Sequence, residues 1–276
     1  MKIRYFDNAA TTPILEKVLI KMFPYLTNAY GNPSSMYGLG RQSKKAIEEA
    51  RIEVANIINA NPKEIYFTSC GSESDNTALK SFAYANKEKG KHIITSRIEH
   101  HAILETCETL EKQGFEVTYL KVDKDGIVDI KELINSIRYD TILISIMFAN
   151  NEIGTIQPIE QIAQIAKAKG IAFHTDAVQA VGNIPIDVQK LGIDMLSISA
   201  HKLHGPKGVG ALYIRNGINI DKYINGGHQE RNKRAGTENV AGIVGFGEAC
   251  KIAERNLDYH MKYLIDLRNY YIKRVI

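Results

Sequence analysis

Cysteine is scarce in this chain, and long apolar runs are missing from it. The 276 residues include three cysteines, Cys70, Cys107 and Cys250, at wide and irregular spacing. An odd number at such spacing argues against a disulfide framework and a zinc site, and it fits a reducing compartment. No apolar run approaches the roughly 18 residues of a membrane span, and the first residues lead into a polar motif rather than a signal peptide. We therefore expect a cytoplasmic protein without a membrane partner.

Charge of one sign is not concentrated anywhere in the sequence. The net charge is +4, and basic and acidic residues are interspersed without a basic block. This pattern gives no argument for a nucleic-acid partner. With 44% hydrophobic residues, the chain is long enough for one large α/β domain with a substantial core.

Short apolar segments alternate with helical patterns from residue 64 onward. The sequence predicts strands over 64–68, 92–96, 116–122, 141–147, 171–175, 194–199 and 210–214, and a short strand upstream over 4–6. It predicts helices over 14–26, 38–58, 73–88, 102–113, 130–137, 159–169 and 240–276. Such alternation indicates an α/β fold with a mostly parallel seven-stranded sheet and helices on both faces.

A lysine between two histidines, Lys202, follows one of these strands. The stretch Ser199-Ala-His-Lys-Leu-His204 leads into a glycine-rich loop. Nearby positive charge and partial desolvation would lower the pKa of Lys202 and make its amine a nucleophile, as Schiff-base chemistry requires. From this stretch alone, a solvated loop lysine remains the alternative.

An acid, Asp176, stands at the end of the preceding strand. Parallel strands bring their carboxyl ends to one edge of a sheet, so Asp176 and Lys202 can meet there. A lysine and a carboxylate so placed form the protein side of a pyridoxal phosphate site, in which the acid keeps the pyridinium nitrogen protonated. The alternative is that Asp176 caps a helix.

A phosphate site is expected where the strand over 64–68 turns into a helix. Ser72 and Asp75 have the spacing of a capping box. The helix start that they mark offers free N–H groups and a positive dipole end to an anion. Beside Lys202 and Asp176, this helix start is the expected phosphate cradle.

Seven motifs follow one another along the chain. They are Tyr5-Phe-Asp-Asn-Ala-Ala-Thr-Thr-Pro13, Gly31-Asn-Pro-Ser-Ser35, Glu99-His-His101, Ala149-Asn-Asn-Glu-Ile-Gly154, His174-Thr-Asp-Ala-Val-Gln179, Ser199-Ala-His-Lys202 and Arg234-Ala-Gly-Thr-Glu-Asn239. In this combination the chain resembles the pyridoxal phosphate-dependent cysteine desulfurases of the iron–sulfur assembly and nitrogen-fixation type. The resemblance implies a fold type I enzyme that converts L-cysteine to L-alanine and passes sulfur, as a persulfide, towards an acceptor such as an iron–sulfur scaffold protein.

The resemblance also implies roles for individual residues. Lys202 would hold the cofactor and move the substrate α-proton, and His100 would stack on the cofactor ring as an acid–base group, with His101 as its competitor. The expected cofactor-binding residues are Gly71, Ser72, His100, Asn151, Asp176, Gln179, Ser199, His201, Lys202 and Thr237. Thr237 would reach the phosphate bound by the partner subunit, which implies a homodimer with shared sites.

One part of the family's machinery is not expected in this sequence. In the family, the nucleophilic cysteine and a substrate-binding arginine lie in a smaller C-terminal domain. We expect an N-terminal segment over 1–14, a large cofactor-binding domain over 15–260 and, over 261–276, the start of a helix that leads to that domain and exposes an apolar face. We therefore expect cofactor binding with little sulfur transfer. Cys70 is the candidate substitute nucleophile because a helix N-terminus lowers a thiol pKa, although packing is the alternative.

Two other functions stay open at this point. A selenocysteine lyase or an aminotransferase of the same fold would use the same Lys202 and Asp176, although the motifs around Glu99 and Asn150 favour a desulfurase. A non-catalytic dimeric scaffold for sulfur-transfer partners would keep the fold alone. The complete set of Lys202, Asp176 and His100 argues against a scaffold.

Overall fold

A mixed β-sheet is the centre of the computed structural model, which describes residues 4–275. Within that range the sheet has seven strands. They are β1 (Ile65–Thr68), β2 (His92–Ser96), β3 (Glu116–Leu120), β4 (Thr141–Ser145), β5 (Ala172–Asp176), β6 (Met195–Ser199) and β7 (Gly210–Ile214). Their order across the sheet is β1-β7-β6-β5-β4-β2-β3. Only β7 runs antiparallel to its two neighbours, so the prediction of a mostly parallel sheet is confirmed.

Helices fill most of the connections between these strands. They are α1 (Glu16–Thr27), α2 (Gly38–Asn56), α3 (Gly71–Asn76), α4 (Phe82–Asn86), α5 (His101–Glu111), α6 (Ile130–Ser136), α7 (Ile159–Ala168), α8 (Val188–Leu191) and α9 (Val240–Val275). A π-helical turn over Thr77–Ser81 joins α3 to α4, so that residues 71–86 form one continuous helix.

The core lies on both faces of the sheet because successive strand residues point to opposite sides. In β7, Ala211 and Tyr213 belong to a buried cluster with α2, α7 and α9. Leu212 and Ile214 belong to a second cluster with the π-helical turn, α4 and α5. The two clusters pack one helical layer against each face of the sheet. The ends of the strands are not covered by these layers, and the loops of the chain lie there.

The predicted element boundaries agree with the structure to within about two residues, with one exception. The predicted strand over 4–6 does not form. Its side chains are exposed, Phe6 by 87%, and none of its backbone groups joins a strand ladder. The prediction of a strand over residues 4–6 is therefore wrong.

The last turns of α9 carry many exposed apolar side chains. Tyr263, Leu267, Tyr271 and Val275 are each about half exposed or more. This agrees with the expectation of an exposed apolar face near the end of the chain, except that Ile276 lies outside the described residues. Among residues 4–275, no helix is both long enough and apolar enough to cross a membrane.

Candidate active site

Five parallel-running strands end at one edge of the sheet, and a cavity of about 520 Å³ lies over their ends. The chain segments after β1, β2, β4, β5 and β6 all contribute to its wall, and the turn over residues 7–10 covers one side. The lining residues are Asp7, Ala9, Ala10, Cys70, Gly71, Ser72, Asp75, His100, Met147, Ala149, Asn151, Glu152, Asp176, Val178, Gln179, Ser199, His201 and Lys202. Nine of the ten residues predicted to bind the cofactor are therefore brought together, and Thr237 is not.

Lys202 ends a single 3₁₀ turn, Ala200–Lys202, that follows β6 directly. Its Nζ donates hydrogen bonds to the carbonyl oxygens of Ala9 and, at 3.0 Å, of Ala10. Burial lowers the pKa of Lys202, and the negative charges of Asp176 and Asp7 oppose that shift. The expected direction of the pKa shift is therefore right, and of the two expected causes burial is confirmed, whereas the flanking histidines make no contribution.

Asp176 is the last residue of β5 and is 6% exposed. Burial raises the pKa of its carboxyl group, against the hydrogen bond from Val178 N and the nearby side chain of Lys202. Its Oδ1 accepts that hydrogen bond at 2.9 Å. Because residues 177–180 form a turn and not a helix, the alternative of Asp176 as a helix cap is wrong.

His100 precedes α5 and is the N-cap of that helix. Its Nδ1 accepts a hydrogen bond from Ala102 N at 3.1 Å. A ring that accepts at Nδ1 carries its proton on Nε2 when it is neutral, so Nε2 is the nitrogen left for the cavity. His101 is the first residue of α5, is exposed and does not line the cavity. The geometry thus separates the two histidines as expected.

A helix begins beside the cavity at the predicted turn after β1, but not through the predicted capping box. The helix begins at Gly71, after Cys70 as N-cap, and no side chain caps it. Ser72 lies in its first turn, and Asp75 is buried at 1% exposure on the inner side. The Ser72–Asp75 capping box is therefore wrong, because the turn after β1 is tighter than the spacing suggested.

Close packing fixes the position of this turn. A Cβ on Gly71 would lie 2.8 Å from Val178 Cγ2 and 3.4 Å from Ser199 Cβ, so only glycine fits without a shift. The first N–H groups of a helix have no intrahelical acceptor and are available to an anion. Ser72, Ser199 and His201 also line the cavity, and Ser199 lies against Gly71. Burial, with Lys202 and Lys207, lowers the pKa of His201, so its ring is neutral at pH 7.

Gln179 and Asn151 complete the expected set. The Nε2 of Gln179 donates to Ala9 O at 3.0 Å, which ties the side chain to the N-terminal turn. The Nδ2 of Asn151 donates to Glu152 Oε1 at 2.9 Å. Both amides face the cavity with the remaining part of their hydrogen-bonding capacity.

Comparison with known proteins identifies the family. The profile of class-V aminotransferases matches residues 4–275. A cysteine desulfurase IscS from Methanosarcina thermophila is 59% identical over 275 residues, which cover 100% of this chain and 68% of that protein. The chain belongs to the cysteine desulfurases of the class-V aminotransferase family. A second cysteine desulfurase IscS, from Dictyoglomus turgidum, is 58% identical over 98% of this chain and 69% of its own length.

Solved structures agree with this assignment. A structure described as a NifS-like protein superposes with a TM-score of 0.96 at 46% identity, over 99% of this chain and 75% of that one. Another, described as SspA in complex with cysteine, has a TM-score of 0.88 at 43% identity, over 90% of this chain and 72% of the other. The chain is thus a fold type I pyridoxal phosphate-dependent enzyme, as the sequence resemblance implied.

The residues of the cavity fit the pyridoxal phosphate that cysteine desulfurases use. Its volume lies in the range of cofactor sites. Two buried acids, Asp75 and Asp176, face it, and Asp75 Oδ1 has no hydrogen-bond partner. Burial and the charge of Asp176 raise the pKa of Asp75. Of two such acids only one ionises readily, which leaves one carboxylate to meet a protonated ring nitrogen and one neutral acid behind it.

Asp75 is not the capping partner that its spacing from Ser72 predicts. In the structure its Oδ1 lies 3.8 Å from His174 Nε2. His174 bonds the hydroxyl groups of Ser145 and Ser197, and burial lowers its pKa to about 3, so no ion pair forms with Asp75. Asp75 is a charged residue at a helix position that faces the sheet, and this pattern in the sequence could have indicated a site residue.

The three cysteines differ in access to the cavity. Cys70 lines it and is partly exposed. Cys107 and Cys250 are buried on α5 and α9, and burial raises both thiol pKa values. Both therefore belong to the core, as expected, because a thiol that cannot ionise is a poor nucleophile.

Thr237 lies apart from the other predicted residues. It is exposed and borders a small cavity of about 110 Å³ with Ser69, Glu238 and Asn239. Within one chain it does not approach Lys202. Its predicted role in the site of a partner subunit stays a prediction.

Proposed function

We propose that this chain uses Lys202, Asp176 and His100 to release sulfur from L-cysteine, with L-alanine as the other product. The observation that carries the proposal is that one cavity joins a lysine of lowered pKa to a buried acid at the end of the neighbouring strand. When bound, pyridoxal phosphate supplies an electron sink next to the substrate α-carbon. The three residues differ in what they do around it.

Lys202 has two tasks in this proposal. Its amine holds the cofactor covalently, and burial favours the neutral, nucleophilic form. As a free amine, Lys202 would act as the base at the substrate α-carbon. The carbonyl oxygens of Ala9 and Ala10 accept its hydrogen bonds and give the free amine a defined position.

Asp176 and His100 act at different places. Asp176 holds a proton on the ring nitrogen by charge, since its carboxylate is buried and has one backbone hydrogen bond. His100 lies over the cavity with Nδ1 committed to Ala102 N. Its Nε2 is therefore the atom that gives or takes a proton near the substrate sulfur.

The binding roles proposed for the remaining residues follow their positions. Ser72, Ser199, His201 and the N–H groups after Gly71 hold the phosphate. Gln179 and Asn151 face the ring oxygen and the substrate carboxylate. Among residues 4–275, no group of three or more His, Cys, Asp or Glu side chains is placed to hold a metal ion.

The cysteine thiol that would receive the sulfur atom is the one part of the reaction that the cavity residues do not assign. Cys107 and Cys250 are buried, which leaves Cys70 as the cysteine that faces the cavity. Cys70 directly precedes Gly71 at the helix start that we assign to the phosphate. We therefore keep the expectation that the 276-residue chain binds cofactor and substrate but transfers little sulfur by itself.

A homodimer supports this function. α1 exposes Ile20, Phe23 and Leu26 by about 60% or more, and Met36 is 89% exposed nearby. Exposed apolar groups of this density mark a protein interface. Dimer formation through this surface would let the segment around Thr237 reach the second site. We further propose a cytoplasmic location and a sulfur acceptor such as an iron–sulfur scaffold protein.

Visible absorption tests the proposal directly. Purified chain is mixed with pyridoxal phosphate, and spectra are recorded before and after addition of L-cysteine, with Lys202→Ala beside it. We expect a lysine-dependent band that cysteine shifts. A wild-type chain without this band, or an equal band in Lys202→Ala, would refute the proposed site.

A further inference from the structure

Two ion pairs fasten the loop between β7 and α9, one to α2 and β1 and the other to the turn between β1 and α3. The first is buried: Arg51 on α2 donates from Nη1 and Nη2 to both carboxylate oxygens of Glu230, at 2.7 and 2.8 Å. Glu230 Oε2 also accepts from Phe67 N at 2.9 Å. This pair anchors the loop to β1.

The second ion pair lies next to the phosphate end of the cavity. Arg234 donates to Glu73 through Nε at 2.8 Å and through Nη2 at 3.2 Å. Glu73 Oε2 also accepts from Ser69 N at 2.9 Å. Burial would raise the pKa of Glu73, but the hydrogen bonds from Arg234 and Ser69 lower it overall. Glu73 is therefore ionised at pH 7 and joins the loop to the first residue of the turn.

The turn that Glu73 holds has little freedom to move. A Cβ on Gly71 would meet Val178 Cγ2 at 2.8 Å, and a Cβ on Gly210 would meet the carbonyl carbon of Cys70 at 2.7 Å. Close contact on both sides means that a small displacement of Ser69 must also move the first N–H groups of the helix. These N–H groups are the ones that would hold the phosphate.

We propose that Glu73 and Arg234 form a positioning pair for the phosphate end of the cofactor site. The inference rests on the proposed function, since it assumes that the phosphate lies at this turn. Glu73 fixes the turn through Ser69 N, and Arg234 fixes Glu73. Because Arg234 is three residues from Thr237, the same pair sets the segment proposed to reach a partner subunit.

Arg234 has a second effect, which makes the pair asymmetric. Without it, Glu73 keeps a negative charge in the first helical turn, next to the site for a phosphate dianion. Like charges at short range disfavour binding. Loss of Arg234 therefore harms phosphate binding more than loss of Glu73, and removal of both should partly restore it.

The test compares two ligands that differ by the phosphate. Affinities for pyridoxal phosphate and for pyridoxal are measured by absorption titration for wild type, Glu73→Gln, Arg234→Gln and the double variant. The matched control is Lys251→Gln on α9. It removes an ion pair of 2.7 Å to Glu53 on α2, which is partly exposed like the pair between Arg234 and Glu73 but lies away from the cavity. Thermal melts confirm the folded state of each protein.

We expect Glu73→Gln to weaken pyridoxal phosphate about tenfold, the size of one lost charge-assisted hydrogen bond. Arg234→Gln should weaken it more, the double variant should bind more tightly than Arg234→Gln, and pyridoxal should change less than twofold in all of them. Lys251→Gln should match wild type for both ligands.

Equal losses for the two ligands, no loss for pyridoxal phosphate, or additive effects in the double variant would overturn the positioning role. Unfolding of Glu73→Gln and Arg234→Gln while Lys251→Gln stays folded would also overturn it, because the pair would then serve stability. Failure of wild type to bind pyridoxal phosphate would instead refute the proposed function.

Discussion

Replacement of Glu230 by glutamine should destabilise the fold severely. Glu230 is 6% exposed and accepts hydrogen bonds from Arg51 and from Phe67 N. Arg51 is 3% exposed and also donates to Ile65 O at 2.9 Å. Its guanidinium lies over the Phe67 ring at 4.7 Å. The variant would leave this cation buried in the core with one strong acceptor fewer.

The magnitude follows from burial. Breaking a buried ion pair by removing one partner costs about 3–5 kcal/mol, because the other charge stays without compensation. The total stability of a domain is only about 5–15 kcal/mol. We therefore expect Glu230→Gln to lose a large part of the free energy of unfolding.

The same arginine offers an internal control. Arg51 Nη2 also lies 3.2 Å from Glu48 Oε1, but the Glu48 side chain is 53% exposed. Exposed pairs contribute about 0–1 kcal/mol, so Glu48→Gln should stay within that range. Urea denaturation followed by circular dichroism measures both variants. A loss below about 1 kcal/mol for Glu230→Gln, or equal losses for the two variants, would refute the reasoning.

Three further outcomes are expected. Burial raises the pKa of Glu99 to about 8, so the folded state keeps a proton that the unfolded state releases above about pH 4.5. Between about pH 5 and 8, the free energy of unfolding of wild type should therefore fall more steeply than that of Glu99→Gln, by up to about 1.4 kcal/mol per pH unit. Urea denaturation at each pH measures both proteins, and parallel curves would refute this expectation. Gly71→Ala should weaken pyridoxal phosphate binding because its Cβ would contact Val178, whereas Gly38→Ala, with no atom within 4 Å of its Cβ, should not; equal titrations would contradict the tight turn. A thiol reagent should modify Cys70 in the folded chain, more slowly once pyridoxal phosphate is bound, and the two buried cysteines only in denaturant; three fast thiols would contradict the burial.

The sequence predicted that Lys202 and Asp176 lie at one edge of the sheet, because strand ends can be located without a structure. Lys202 and Asp176 each follow a short apolar run, and parallel strands bring such ends to one edge. The reversed direction of β7 could also have been predicted. Ten residues separate β6 from β7, and a parallel crossover needs about a dozen or more.

Other features of the site depend on distances in space that the spacing of residues along the sequence does not determine. Ser72 and Asp75 matched a capping pattern, but the helix begins at Gly71 because the turn fits closely between Val178 and Gly210. Glu73 was not singled out, since its role requires Arg234, which is 161 positions away in the chain. Long-range ion pairs of this kind cannot be deduced from local periodicity.

The place of β1 in the sheet has a consequence for the order of events during folding. In the part of the chain that the structure describes, β1 pairs only with β7, and 144 positions separate Phe67 from its partner Ala211 in that strand. The cradle after β1 cannot come to rest beside Lys202 until β7 has inserted between β1 and β6. Closing such a long loop is slow. Cofactor binding therefore requires a completely formed sheet, and a partly synthesised chain that ends before β7 cannot form the cofactor site.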